Sequence, residues 1–106
     1  MIGYNDFKKI DLRIGKIVEV EDHPDAEKLF VMKIDVGGEI KQSVAGLKPY
    51  FSKDELIGKS VVVVANLEAS KLRGIESETM LLAAQHNDKV VLLVPEKEIP
   101  HGAKVL

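Results

Sequence analysis

The sequence predicts an all-β fold, a five-stranded barrel with one short helical connector, and two features carry that prediction. Apolar residues recur in short runs, either alternating with polar residues or as unbroken β-branched stretches such as Val61-Val62-Val63-Val64, and both patterns are typical of strands. Turn signals such as Gly37-Gly38 and His86-Asn87-Asp88 separate these runs. The 106 residues fit one domain, and a domain of that size buries roughly two thirds of its unfolded surface, enough for a core without disulfides or metals.

The first three strands are expected to form the N-terminal half of the barrel. Leu12, Ile14, Val18 and Val20 share one phase, which Gly15 and Ile17 interrupt, so we expect a long first strand that is bent or bulged near Gly15. Phe30 to Val36 alternates apolar and polar residues and predicts a half-buried second strand. Gly37 and Gly38 supply a hairpin turn with freedom for positive φ, and Ile40 to Ala45 returns as the third strand.

A short helical connector is expected after the third strand. It would make one or two turns, with Ser52 as the N-cap and Glu55 completing a capping box. Gly58 would end this helix. Two further strands are predicted from Ser60 to Leu67 and from Thr79 to Gln85.

Three strands, a helical connector and two strands follow one another in the order of the OB fold, a partly open Greek-key barrel whose open face binds oligonucleotides. We therefore expect a single domain over residues 1–106, with the barrel at about residues 10–86. A C-terminal strand and tail extension would follow at about residues 87–106, beginning with the apolar run from Lys89 to Val94.

Composition excludes several classes of protein. The chain has no Cys, which rules out thiolate metal sites, thiol redox chemistry and a disulfide framework. The N-terminus lacks the basic and then apolar layout of a signal peptide, and no uncharged run approaches the roughly 18 residues of a membrane helix. We therefore expect a soluble, cytoplasmic protein without a membrane partner.

Net charge argues against a globally basic nucleic-acid binder. Fifteen Lys and Arg face 17 Asp and Glu, which gives a net charge of −2 and a pI near 5.9. A local cationic patch can still create an attractive field at one face. The expected consequence is modest affinity with few phosphate contacts.

Three candidate catalytic signals are weak. Gly58-Lys59-Ser60 resembles the end of a phosphate-binding P-loop, but residue 53, where that motif needs Gly, is Lys. Ser70 and Ser77 lack a His and carboxylate arrangement for nucleophilic catalysis. The histidines lie in apparent loops without the spacing of a zinc site; they are His23, His86 and His101. The sequence therefore predicts no catalytic residue, no metal and no cofactor.

Residues 66–80 place two cations among apolar residues directly after the predicted fourth strand. In an extended segment Lys71 and Arg73 would point one way while Leu72 anchors the other side. Gly74 then allows a backbone bend that a Cβ would resist. The arrangement is that of a nucleic-acid site on a small barrel, although solvated loop charges would look the same.

Several separated motifs resemble the tRNA-binding domain family. They are Asp11-Leu-Arg-Ile-Gly-Lys-Ile-Val18, His23-Pro-Asp-Ala-Glu-Lys-Leu29, Ser43-Val-Ala-Gly-Leu47 and residues 66–80. The resemblance runs from about Phe7 to the end of the chain and is specific because the motifs agree in order. The chain departs from the family at Glu68-Ala69, where Lys-Pro is usual, and at Thr79, where Gly is common.

The resemblance implies an OB-fold, noncatalytic accessory subunit of an aminoacyl-tRNA synthetase that binds tRNA by shape and backbone contacts. It is nearest to the separately encoded beta subunit of methionyl-tRNA synthetase, since the chain starts at Met1 and ends soon after the domain. The implied partners are tRNA, a catalytic synthetase chain and a second copy of this chain, because family members dimerise and residues 89–106 supply an apolar strand and tail.

The resemblance also implies which residues meet tRNA, and these are Asn66, Lys71, Arg73, Ser77 and Met80. Arg73 would bind a phosphate or a base edge, and Lys71 a phosphate. Asn66 and Ser77 would hold the loop or meet the RNA backbone by hydrogen bonds, and Met80 would make apolar contact. His23 matches a family His-Pro segment, where packing of the loop and ligand contact are equally open roles.

A second reading is a secretion-type peptide-binding chaperone, because such a chaperone resembles the same family and shares the fold. It would need an uncharged apolar cleft near Met80 instead of a cationic surface. A cytokine-like secreted fragment has less support, since the chain begins as an intact small protein.

Overall fold

The structure, a computed structural model, describes residues 1–106 and contains two four-residue helices among ten strands. The helices are α1 (Tyr4–Phe7) and α2 (Lys53–Leu56). The strands are β1 (Leu12–Asp22), β2 (Phe30–Asp35), β3 (Ile40–Ala45), β4 (Ser60–Val64), β5 (Ser70–Leu72), β6 (Ile75–Ser77), β7 (Met80–Leu81), β8 (Ala83–His86), β9 (Lys89–Leu92) and β10 (Lys104–Val105). The all-β prediction is confirmed; α1 was not predicted.

Five strands form a nearly closed antiparallel barrel in the order β3-β2-β1-β4-β7. The long strand β1 pairs with β4 along its first half and with β2 along its second half. Side-chain and backbone bonds hold β3 against the end of β6 and the residue that follows it, because Val44 N donates to Ser77 Oγ at 3.0 Å and Glu78 N donates to Gln42 O at 2.8 Å. The predicted OB-type barrel is therefore confirmed.

The bulge in β1 lies three residues later than predicted. The register with β2 shifts between Ile17 and Glu19, so Val18 is the extra residue and its side chain is 42% exposed. Gly15 serves close packing instead, because a Cβ there would lie 2.7 Å from Ile34 Cγ2. A glycine in a strand signals either a bulge or a close approach, and here it is the close approach.

The β2–β3 hairpin and the capping box of α2 have the predicted form. Gly37 and Gly38 both have positive φ, and Asp35 Oδ1 accepts hydrogen bonds from their two amides at 2.9 and 3.0 Å. These bonds stabilise the charged carboxylate and lower the pKa of Asp35. Ser52 Oγ accepts from Glu55 N at 3.2 Å, and Glu55 Oε1 accepts from Ser52 N at 2.9 Å.

The predicted fifth strand is divided in the structure, and the predicted fourth strand ends at Val64 instead of Leu67. Leu82 lies between β7 and β8, where its N–H donates to Val62 O at 2.9 Å and its carbonyl accepts from Leu93 N at 3.1 Å. After Leu82 the chain leaves the barrel, and β8 pairs with β9. The β8–β9 pair thus begins at Ala83 and includes four residues before residue 87, where the C-terminal extension was expected.

The tail returns to the barrel and packs tightly against it. β10 pairs with the start of β1, with Leu12 opposite Val105, and Gly102 N donates to Ile14 O at 2.7 Å. Gly102 meets the β2–β3 turn backbone to backbone, because a Cβ on Gly37 would lie 2.7 Å from the Cα of Gly102. The tail is thus held by the same strands that build the barrel.

Apolar side chains from β1, β2, β4, β7 and α2 fill the interior, and Ala45 of β3 packs against them. The core cluster consists of Ile17, Val20, Phe30, Met32, Ile34, Val36, Leu47, Leu56, Val61, Val63 and Leu81. Leu56 is the buried residue of α2, so the short helix closes one end of the core. None of the helices is long and apolar enough to cross a membrane.

Candidate nucleic-acid interface

Residues 70–77 form a small β-hairpin that projects from the barrel. β5 pairs with β6, with Lys71 opposite Glu76 and Leu72 opposite Ile75. Arg73 and Gly74 make the two-residue turn and have φ values of 50° and 86°, as the turns that favour hairpins require. The sequence prediction of one extended segment, with Lys71 and Arg73 on the same side, is therefore wrong: Arg73 occupies the turn.

The two predicted cations lie at or beside the tip of this hairpin. Arg73 is exposed, and its Nη2 donates to the carbonyl oxygen of Asp25 at 2.9 Å. Lys71 is also exposed and takes part in none of the ion pairs of the molecule. A guanidinium carries five N–H donors, so Arg73 keeps most of its hydrogen-bonding capacity for a ligand.

Asn66 is a structural clamp at the end of β4. Its Oδ1 accepts from Asp11 N at 2.8 Å, and its Nδ2 donates to Lys9 O at 2.7 Å. Both ends of the amide are therefore engaged with the segment that precedes β1. Of the two roles predicted for Asn66, the structure supports the one of holding the chain.

Ser77 and Thr79 also hold the barrel together. Ser77 Oγ accepts from Val44 N at 3.0 Å and donates to Thr79 O at 3.3 Å. Thr79 is only 1% exposed, and its hydroxyl donates to Val64 O at 2.6 Å. Thr79, where the family commonly has Gly, is accommodated because its hydroxyl finds a backbone partner inside the barrel.

Met80 is the one predicted apolar contact residue, and it is accessible. It pairs with Val64 through the backbone, while its side chain is 46% exposed. An exposed thioether on a short strand is available for apolar contact with a ligand. The structure thus presents Lys71, Arg73 and Met80 to solvent and engages Asn66 and Ser77 internally.

The loop between β1 and β2, residues 23–29, packs against the hairpin. The sequence did not predict this contact. His23 is 4% exposed, and its Nε2 lies 3.1 Å from the carbonyl oxygen of Leu72. A hollow of about 520 Å³ lies between this loop and the hairpin, lined by Asp25, Ala26, Glu27, Lys28, Leu29 and Arg73. The sequence left packing and ligand contact open for His23, and the structure shows packing.

The surface beneath the hairpin is acidic. A second hollow, of about 350 Å³, is lined by Glu19, Glu21, Asp22, Pro24, Val31, Lys33, Gln42 and Ile75. Asp22 is paired with Lys48 and Lys53 at 3.1 and 3.3 Å, and these contacts lower its pKa. Because carboxylates repel phosphates, the acidic side chains of this strand face disfavour phosphate binding there.

Comparisons with known proteins agree on one family. Residues 12–104 match the family described as "Putative tRNA binding domain". The chain is 61% identical over 104 residues to a methionine–tRNA ligase of Pyrococcus furiosus, covering 98% of this chain but 14% of the ligase. The chain therefore spans a small part of that relative.

Two solved structures have the same fold over the whole chain. A protein described as MetRS-related, from Pyrococcus horikoshii, is 32% identical, with a TM-score of 0.92 and coverage of 100% of this chain and 98% of that one. A protein described as CsaA chaperone, from Picrophilus torridus, is 38% identical, with a TM-score of 0.92 and complete coverage of both chains.

Proposed function

This chain belongs to the tRNA-binding domain family, and from that premise we propose that it is a noncatalytic accessory subunit of an aminoacyl-tRNA synthetase of the methionyl type. The observation that carries the proposal is the β5–β6 hairpin, which presents Lys71 and Arg73 to solvent on a base tied to the barrel. The subunit would bind tRNA in the cytoplasm and raise its local concentration for a catalytic chain.

The chemistry of the hairpin suits folded RNA. Folded RNA is recognised through its shape, phosphates, 2′-hydroxyls and unstacked bases. The planar guanidinium of Arg73 offers paired donors to a phosphate or a base edge, and Lys71 adds a mobile charge. Because the neighbouring strand face is acidic, we propose a small footprint with few phosphate contacts and therefore modest affinity.

Asn66 and Ser77 act indirectly in this proposal. Both side chains already hold backbone partners, so direct RNA contact would have to break those bonds. For Ser77 this would leave partly buried groups unsatisfied. We assign them to holding the base of the hairpin, and we assign direct contact to Lys71, Arg73 and Met80. No step of catalysis is assigned to this chain, since its relative of known activity is a much longer protein.

The accessory role predicts a change in tRNA affinity alone. Adding the chain to a catalytic fragment of a methionyl-tRNA synthetase should lower the KM for tRNA and leave the rate of amino-acid activation unchanged, because the chain supplies binding and no chemistry. Steady-state aminoacylation and pyrophosphate exchange measure the two quantities. A changed activation rate with an unchanged KM for tRNA would contradict the role, and the chain alone should show neither activity.

Peptide binding is the second candidate, and the likeness to the chaperone from Picrophilus torridus favours it. A chaperone site would need an uncharged apolar cleft near Met80, beside the hairpin. Instead, each of the two hollows that flank the hairpin has only two hydrophobic lining residues. The more apolar hollow, of about 280 Å³, is built by Tyr4, Phe7, Ile10, Val105 and Leu106 with two lysines, so it belongs to α1 and the tail.

We also propose that the chain forms a homodimer. The N-terminal segment and the C-terminal extension expose large apolar side chains; these include Tyr4, Ile10, Val91, Leu93, Val94 and Leu106. Such exposure is usual at protein interfaces, and two copies would offer two hairpins to one tRNA, so that linked contacts offset a weak single site. Sedimentation should give twice the chain mass at micromolar concentration; a monomer with the tail intact would refute the dimer.

A further inference from the structure

We propose that His23 is a positioning residue that holds the β5–β6 hairpin in the orientation needed for tRNA contact. The contact that carries this inference is the one between the buried imidazole and the carbonyl oxygen of Leu72, at 3.1 Å from Nε2. The inference rests on the proposed function, because it assigns a role in RNA binding to a residue that RNA does not reach.

The hydrogen bonds of His23 fix the tautomer of the ring. Nδ1 lies 3.0 Å from the backbone N–H of Asp25 and must accept that hydrogen bond. Nε2 therefore carries the proton and donates it to Leu72 O. The imidazole is neutral in this arrangement, since a proton on Nδ1 would face the Asp25 amide donor.

The loop that carries His23 is a firm base for this contact. His23 N donates to Leu29 O at 3.1 Å, and Leu29 N donates to Ala26 O at 3.3 Å, so the loop closes on itself. With 4% of its surface exposed, His23 sits inside the closed loop and joins it to the hairpin.

The hairpin itself needs such anchors. Each of its strands has three residues, and an isolated two-stranded hairpin is marginally stable in water. β6 is tied to β3, because Gln42 Nε2 donates to Glu76 O at 2.7 Å. β5 has all three residues exposed. Apart from its pairing with β6, it is held by the hydrogen bond from His23 to Leu72 O and, in the adjoining turn, by that from Arg73 to Asp25 O.

The position of this bond explains why it matters for binding. Leu72 lies between Lys71 and Arg73, so fixing its carbonyl oxygen fixes the backbone that carries both cations. Without the bond, β5 would sample more conformations, and tRNA would have to order it on binding. The expected effect is a loss of tRNA affinity on the order of tenfold, as for one net hydrogen bond.

Two substitutions test the roles of the two ring nitrogens separately. In His23→Asn the amide oxygen can replace Nδ1 and accept from Asp25 N, but no donor reaches Leu72 O. In His23→Gln the amide nitrogen can replace Nε2 and donate to Leu72 O. We expect His23→Asn to bind tRNA about tenfold more weakly than the parent. His23→Gln should bind within about twofold of the parent. In hydrogen exchange, the amides of residues 71–74 should exchange faster only in His23→Asn.

The same experiment shows whether the role of His23 or the proposed tRNA binding is wrong. If the parent does not bind tRNA, the proposed function is wrong. Hydrogen exchange of residues 71–74 still tests whether the hydrogen bond from His23 to Leu72 O holds the hairpin. Nitrogen NMR of the parent should show a neutral His23 ring protonated on Nε2; a ring protonated on Nδ1 would overturn the inference even if His23→Asn does not fold. Equal tRNA affinity of the parent, His23→Asn and His23→Gln would also overturn it.

Discussion

Replacing Arg73 by Glu should weaken tRNA binding by at least about tenfold, because the change removes one anion contact and adds a repulsive carboxylate at the hairpin tip. The slope of log affinity against log salt should fall by about 0.7 to 0.9, the share of one phosphate contact. Filter binding at several salt concentrations measures both quantities. Stability should change little, by about 0.5 kcal/mol, since the residue is exposed.

The turn geometry of Arg73 calls for a conformational control. Its φ of 50° is unfavourable for most side chains, and its guanidinium donates to Asp25 O. Arg73→Gly keeps the turn and removes the charge without reversing it, so it should weaken binding less than Arg73→Glu does. Binding by Arg73→Gly as tight as by the parent would show that the guanidinium itself makes no contact with tRNA.

Three further variants locate the charge effect. Lys71→Ala should weaken tRNA binding more mildly than Arg73→Glu, and Glu68→Lys, which restores a family cation, should tighten it. Lys97→Ala is the matched control, because Lys97 is an exposed lysine outside the hairpin and should leave affinity unchanged. If Arg73→Glu binds like the parent and Glu68→Lys changes nothing, the tRNA site lies elsewhere.

Gly37→Ala should be strongly destabilising, by about 2 to 5 kcal/mol, because two costs add. The residue has a φ of 99°, which costs an L-residue roughly 1 to 2 kcal/mol. The new Cβ would also lie 2.7 Å from Gly102 Cα, and overpacking of this kind typically costs about 1 to 3 kcal/mol. Urea unfolding of the parent and the variant gives the difference in the free energy of unfolding.

Gly38→Ala is the matched control within the same turn. Gly38 has a nearly equal φ of 95°, but a Cβ there meets no atom within 4 Å. Gly38→Ala should therefore lower the free energy of unfolding only by the cost of the positive φ, about 1 to 2 kcal/mol. Equal destabilisation by the two alanines would mean that the tail does not press on the β2–β3 turn.

Local sequence signals predicted the strands and the connector that depend on local chemistry. The alternation in β2, the paired glycines at 37 and 38, and the capping box of Ser52 and Glu55 each specify a structure within a few residues. The split at Leu82 could not be predicted in this way, since it depends on which strand lies beside it. The pairing of β10 with β1 is likewise a contact between chain ends.

The sequence suggested candidate site residues but not their geometry. Alternation on both sides of Arg73-Gly74 could have indicated the hairpin, but Arg is uncommon at positive φ. Asn66 and Ser77 came from a family pattern that does not distinguish a structural from an RNA-binding role. The contact between His23 and Leu72 joins residues 49 positions apart, so no local pattern in the sequence points to it.

The most direct test of tRNA binding is a titration of the parent protein with total tRNA at two salt concentrations, with an unfolded peptide as competitor. We predict saturable tRNA binding that weakens at the higher salt concentration and that the peptide does not displace. Peptide binding that is insensitive to salt, together with no saturable binding of tRNA, would contradict the account and favour the chaperone function.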